Sequence, residues 1–298
     1  MNGQELKRYD LVEAPLFSPD SRHLAYNADR QWNRGTVVVL DGTEGKMHDQ
    51  ISSKCFSPNG SRLAYVAYSR RSNGPGTSCL VVSEKEGKSY ESVSQPQFTP
   101  DSEHLAYVAG SGSIGMRVLV RDDIETKYAD LQVGEFSPDS KHLTSVGRFG
   151  TNWFALIDGK KLDPQEPLAP GEMRFSPVRD LTFSPDSRHL AYTGRGSGMS
   201  WSAMLDGVLM KSHEGIAVSP RFSPDSRRLA YVVKRGGKCV PILGGFEENE
   251  YDELLTSRSG TEEGTKTTGL AFDERGVLHA LALRGREVLR LEIEITKN

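Results

Sequence analysis

"FSPDSRHLAY" occupies residues 17–26 and returns letter for letter at residues 183–192. Close relatives stand at 56 ("FSPNGSRLAY"), 98 ("FTPDSEHLAY"), 136 ("FSPDSKHLTS") and 222 ("FSPDSRRLAY"), with a degraded copy, "FDERGVLHAL", at 272. The anchors are therefore Phe17, Phe56, Phe98, Phe136, Phe183, Phe222 and Phe272, at intervals of 39, 42, 38, 47, 39 and 50 residues. About 40 to 45 residues is the length of one four-stranded propeller blade, so the spacing predicts an all-β, seven-bladed β-propeller in a single domain over 1–298.

Each unit reads as strands. One strand ends at the phenylalanine and Ser-Pro-Asp-Ser turns the chain, with Pro holding φ and Asp bonding backbone two residues on. An alternating second strand follows, then a β-rich third such as "TVVVLD" at 36–41 or "RVLVR" at 117–121. No window carries a convincing amphipathic helix. A second register marks the fourth strands: Tyr9, His48, Tyr90, Tyr128 and Phe175 stand eight residues before an anchor, His213 nine before, and Tyr251 ahead of a longer loop. The last unit has two strands after Phe272 and lacks a fourth, while "LKRYDLV" has no unit before it. Residues 5–12 are therefore expected to complete the last blade and close the ring, which removes two exposed sheet edges.

The motif resembles the repeat of the TolB-type (WD-like) β-propeller family, Phe/Trp-Ser-Pro-Asp-Gly-basic-x-Leu/Ile-Ala-Tyr/Phe. The chain departs from it by writing Ser more often than Gly in the turn and by lacking the second domain of TolB. The resemblance implies a scaffold frequently used to bind proteins, and no catalytic residue.

The chain's 298 residues are 36% hydrophobic, with a net charge of -3, which gives no global attraction to nucleic acid or membrane. Three cysteines without a CxxC pair, no apolar leader and no membrane-length run point to the cytoplasm, or to the periplasm or outside if a leader has been removed. "GSGSIG" at 110–115 fits a dinucleotide fingerprint, yet a strand follows where the mechanism needs a helix, so a hairpin is the better reading. The Asn-Gly-Ser at 59–61 is explained by its turn. His23, His104, His142 and His189 recur six residues after their anchors, which spreads them about 10 Å apart, too far for shared metal ligation. No catalytic residue, metal or cofactor is expected.

Function is sought where the repeat is broken. The loops between second and third strands sum to a formal +10. They carry Arg30, Trp32, Arg34, Arg70, Arg71, Arg148, Phe149, Arg195, Lys234 and Arg235, with Trp153 and Trp201 just beyond. Arg and Trp are enriched in binding hot spots. Acidic residues of the fourth-to-first loops intermix, which suits a specific protein partner better than a phosphate track. The expectation is a non-catalytic interaction scaffold, monomeric itself, acting as a subunit or accessory of a larger bacterial assembly. The alternatives are a lyase-like enzyme or small-ligand binder at the channel mouth, and a nucleic-acid-binding propeller. Two insertions, 160–173 and 256–268, also interrupt the repeat.

Overall fold

The computed structural model describes residues 7–29, 35–71, 74–94, 96–110, 116–149, 152–162, 178–195, 200–255, 257–259 and 266–294. Among them there is no helix. Every anchor phenylalanine is the last residue of a strand, and each of those strands opens its own antiparallel sheet.

Two compact units divide the chain, Met1–Val133 and Gly134–Asn298, with the boundary inside the strand Asp130–Phe136. In the first unit, sheet 1 consists of Leu11–Phe17, Leu24–Asp29, Thr36–Leu40 and Thr43–Glu44. Sheet 2 follows with Gln50–Phe56, Leu63–Arg71, Gly74–Val82 and Lys85–Tyr90. Sheet 3 has Gln97–Phe98, Leu105–Gly110, Arg117–Arg121 and Ile124–Tyr128, with Ser92–Val93 also paired to its second strand.

Sheet 4 consists of Asp130–Phe136, Leu143–Phe149, Asn152–Ile157 and Lys160–Lys161. Sheet 5 has Val178–Phe183, Leu190–Arg195, Trp201–Leu205 and Val208–His213. Sheet 6 has Gly215–Phe222, Leu229–Arg235, Lys238–Leu243 and Phe246–Glu247. Sheet 7 pairs Leu270–Phe272 with Leu278–Arg284 and that with Glu287–Ile293, while Glu253–Leu254 joins beside Leu278–Arg284. Inside the 256–268 insertion, Ser257–Ser259 and Lys266–Thr268 pair as a hairpin. Residues 163–177, which hold most of the other insertion and Phe175, lie outside the described residues.

The second strands are buried on both faces, and their alternation says why. In sheet 2, Leu63, Tyr65 and Ala67 pack with Ala25 and Val38 of sheet 1, whereas Ala64 and Val66 pack with Tyr107, Ala109 and Val118 of sheet 3. The same division joins sheets 4 and 5, 5 and 6, and 6 and 7. A strand thus donates alternate residues to two neighbours, and each fully buried Leu or Val contributes about 1.5–3 kcal/mol.

One expectation needs correction. Leu11 and Val12, assigned from sequence to a closing strand with residues 5–10, belong to the first strand of sheet 1, opposite Asp29 and Ala28. The first strand extends six residues ahead of its anchor because the antiparallel partner, Leu24–Asp29, is long enough to pair that far, past a bulge between Glu13 and Leu16.

Candidate functional site

The corner motif is a hydrogen-bonded module. In sheet 5 the Ser184 hydroxyl donates to Asp186 at 2.6 Å and accepts the His189 backbone N–H at 2.9 Å. The last Ser of the motif sits in the left-handed region: φ is 59° at Ser21, 68° at Ser102, 65° at Ser140, 63° at Ser187 and 61° at Ser226. Glycine would adopt this conformation with less strain, as Gly60 does in sheet 2 at φ 78°. Serine is kept because its hydroxyl accepts a backbone N–H from the preceding sheet's turn: Asn59 to Ser102 (3.0 Å), Asp139 to Ser187 (2.9 Å) and Asp186 to Ser226 (2.9 Å). The departure from the family pattern is a stitch between sheets.

The recurring histidines also have partners that the sequence reading missed. His23 Nδ1 lies 2.6 Å from Asp41, and His104, His142 and His189 lie 2.7 Å from Asp122, Asp158 and Asp206. Each aspartate, at the turn between third and fourth strands, also accepts the N–H of the residue after the histidine, at 2.8–3.1 Å. A signal existed: where the motif has Arg instead, at Arg62 and Arg228, the turn carries Ser83 and Gly244. Arg62 instead donates to the Ser102 carbonyl and lies 4.8 Å from the centre of the Phe98 ring. Each His–Asp latch closes the corner of its own sheet, and among the described residues no group of three or more His, Cys, Asp or Glu is placed to hold a metal ion.

At the opposite end of the sheets lies the arginine-rich rim. Arg30, Trp32 and Arg34 fall outside the described residues, and Phe149 ends its strand. Arg70 and Arg71 are exposed on the second strand of sheet 2, with the Arg70 N–H donating to Asp49 at 2.7 Å. In the second unit a pattern repeats: Arg148 pairs across sheet 4 with Trp153, and Arg195 across sheet 5 with Trp201. Arg148 lies 6.0 Å from the Trp153 ring centre, and Arg179, which the sequence reading passed over, stacks on Trp201 at 3.9 Å. Among the described residues none of Arg148, Arg179, Arg195 and Lys234 enters an ion pair, and the buried Nε of Arg148 has no hydrogen-bond partner.

Arg235 differs. Its guanidinium is 2.7 Å from Glu247, which Lys211 also holds at 2.9 Å. Together they lower the Glu247 carboxyl to about 2, the Arg235 hydrogen bond contributing most. Lys234, Arg235, Lys211, Ser200, Glu214 and His213 line a cavity of about 530 Å³. Arg235 is thus unlike the other rim arginines, because the fold of sheet 6 brings Glu247 against it.

Outer strands are stitched as well. Lys46 pairs with Glu86 (2.7 Å), Lys88 with Glu125 (2.6 Å) and Lys211 with Glu247 (2.9 Å), each linking neighbouring outer strands. Two residues on from each lysine, His48, Tyr90 or His213 packs edge-on against Tyr65, Tyr107 or Tyr231 of the next sheet. Lys7 and Tyr9 make the same contacts with sheet 1: Lys7 to Glu44 at 3.1 Å, Tyr9 hydroxyl to Glu44 at 2.9 Å, and Tyr9 against Tyr26 at 6.2 Å between ring centres.

No family model matches the chain, and no curated protein matches it. Among solved structures it is similar to TolB from Acinetobacter baumannii, at TM-score 0.35 and 15% identity over 86% of this chain and 65% of that one. It is also similar to the Cps50 (Swd1) β-propeller domain from Myceliophteria thermophila, at TM-score 0.38 and 11% identity over 97% of this chain and 99% of that one. A third is the β-propeller domain of the Trilobed protease from Pyrococcus furiosus, at TM-score 0.43 and 12% identity over 98% and 97%. The chain thus spans 65% of the length of that TolB. A TolB and two β-propeller domains are thus among the structures to which this chain is similar, at 11–15% identity.

Proposed function

We propose that the chain is a non-catalytic protein-interaction propeller whose partner docks on the arginine and tryptophan rim, and that the seven sheets close into a ring. Closure is supported by Lys7 and Tyr9, which meet Glu44 and Tyr26 as Lys88 and Tyr90 meet Glu125 and Tyr107. Lys7 and Tyr9 then stand where the Lys and Tyr of a preceding sheet's fourth strand stand, and among the described residues sheet 7 has no strand beyond Glu287–Ile293.

The observation that carries the docking reading is the repeated Arg–Trp pair of sheets 4 and 5, at Arg148–Trp153 and Arg195–Trp201, with Arg179 stacked on Trp201 and no ion pair on any of the three arginines among the described residues. Arginine held against an indole is pre-organised, so it loses little freedom on binding, and its free N–H groups match carboxylates on a partner. Affinity purification from the native host tests it. The wild-type chain recovers a specific partner and an Arg148→Glu, Arg195→Glu variant of unchanged thermal midpoint does not. Equal recovery by both ends the proposal, and a partner released by nuclease treatment replaces it with nucleic-acid binding.

A further inference from the structure

In the first unit, two polar residues stand at repeat positions that are otherwise apolar or small. Ten residues after the anchor, the other sheets have Val66, Val108, Val146, Thr193, Val232 and Ala282, while sheet 1 has Asn27. Two residues before the anchor, the others have Pro15, Pro96, Gly134, Leu181, Pro220 and Leu270, while sheet 2 has Lys54. The two side chains meet, Lys54 Nζ donating to Asn27 Oδ1 at 2.7 Å. Asn27 is 9% exposed. Setting a half-buried ammonium against a buried amide is no route to stability, since the sibling sheets hold no charge at either position and, Thr193 and Gly134 apart, fill both with apolar residues.

Asn27 borders a cavity of about 380 Å³, within the range of small-ligand sites. Glu13, Gln50, Ser52, Tyr68 and Ser78 also line it, with Ile51 and Val66 as apolar patches. The Asn27 amide nitrogen has only a long contact, 3.5 Å, to the Ile51 carbonyl, which leaves donor capacity. Glu13 and Ser52 are each followed by a residue in the left-handed region, Ala14 at φ 49° and Ser53 at φ 51°, where a bulge re-aims the strand. In sheet 5 the equivalent bulge residue, Asp180, is taken up by the Thr193 hydroxyl at 2.9 Å. In sheet 1 residue 14 is alanine, so Asn27 has no such local partner and turns to Lys54.

We propose that this cavity binds a small, neutral, polyhydroxylated ligand of the carbohydrate class. Glu13 is the one formally charged residue of the lining, and Lys54, bonded to Asn27, opposes its charge, so the site favours no net ionic charge. Glu13 accepts from a ligand hydroxyl, while the Asn27 amide, held through its oxygen by Lys54, and the serine hydroxyls donate to its neighbour. Adjacent hydroxyls, each donor and acceptor, satisfy both demands, and the Ile51 and Val66 patches suit a sugar's C–H face. Burial lowers the Lys54 ammonium from its ordinary value, in keeping with its place against the protein rather than in water.

The test is NMR titration of the full chain with D-glucose, D-galactose, D-mannose and N-acetyl-D-glucosamine, with glycine as a zwitterionic probe and inorganic phosphate as an anionic one. At least one sugar should saturate, with shifts centred on the Asn27 amide and on Gln50, Ser52 and Ser78, and neither charged probe should compete. Asn27→Val with Lys54→Leu should weaken binding about tenfold or more at an unchanged or raised thermal midpoint. Glu13→Gln, at an exposed position that leaves packing intact, should weaken it in the same sense. The proposal is overturned if no sugar shifts these residues, if glycine or phosphate occupies the cavity instead, if both variants bind as wild type, or if the double variant's midpoint falls sharply, which would make the pair structural.

Discussion

His189 Nδ1 donates to Asp206 Oδ2 at 2.7 Å while Asp206 Oδ1 accepts the Leu190 N–H at 2.8 Å, so a single carboxylate closes the corner of sheet 5. Asp206→Ala leaves the His189 ring and the Leu190 N–H without that acceptor. The expected loss is about 1 kcal/mol, somewhat more if water cannot reach the Leu190 N–H, measured by urea unfolding. Asp41→Ala, Asp122→Ala and Asp158→Ala should behave alike, because the geometry repeats.

Ser187 separates two opposing effects. It holds a strained left-handed φ of 63° and accepts the Asp139 N–H. Ser187→Ala loses the bond and keeps the strain, so it should cost about 1 kcal/mol. Ser187→Gly loses the same bond and relieves the strain, so it should lie closer to wild type. If Ser187→Ala proved as stable as wild type in denaturant titrations, the stitch would have no energetic role.

Buried histidines give the fold an acid limit. Burial lowers the pKa of His48 and of His213 below the ordinary histidine value; Glu86 opposes this at His48, and Lys211 and Arg235 reinforce it at His213. The unfolded chain therefore takes up a proton before the folded one does. Stability is complete above about pH 6.5 and falls as pH drops through that value toward the depressed folded values. His48→Tyr, which installs the residue used at Tyr90 and Tyr128, should flatten the fall between pH 7 and about 5 in unfolding midpoints.

Rim arginines should rank by their existing partners. Arg235 is engaged with Glu247, whereas Arg148 and Arg195 are in no ion pair among the described residues. Arg148→Glu and Arg195→Glu should each reduce partner capture several-fold, and Arg235→Ala should reduce it less, in pull-downs at matched salt. An equal loss from all three would mean that Glu247 releases Arg235 on binding.

Thiol reactivity should appear only on unfolding. Burial pushes the Cys55 thiol up to about 11 and raises Cys79, and Cys239 is 2% exposed. At pH 8 a thiol-specific chromogenic disulfide should react slowly with native protein and with all three cysteines in denaturant. A fast native phase would place a cysteine in a more open setting.

Strand order and strand ends were legible in the sequence because they follow from local chemistry. Phe-Ser-Pro-Asp-Ser is a turn wherever it occurs, and Leu-Ala-Tyr alternates toward two neighbours wherever it stands between sheets. Arg117–Arg121 was delimited to the residue. The tertiary structure alone decided which polar groups are already spent. Asp206 lies seventeen residues from His189, a pairing visible only when the repeats are compared, and Glu247 twelve from Arg235, where no pattern shows that it neutralises a rim cation. The same holds for Asn27 and Lys54, which read as two isolated polar residues until neighbouring sheets bring them within 2.7 Å. Repetition in sequence fixes what every sheet must do to fold; only packing between sheets determines which side chains are left over to bind something else.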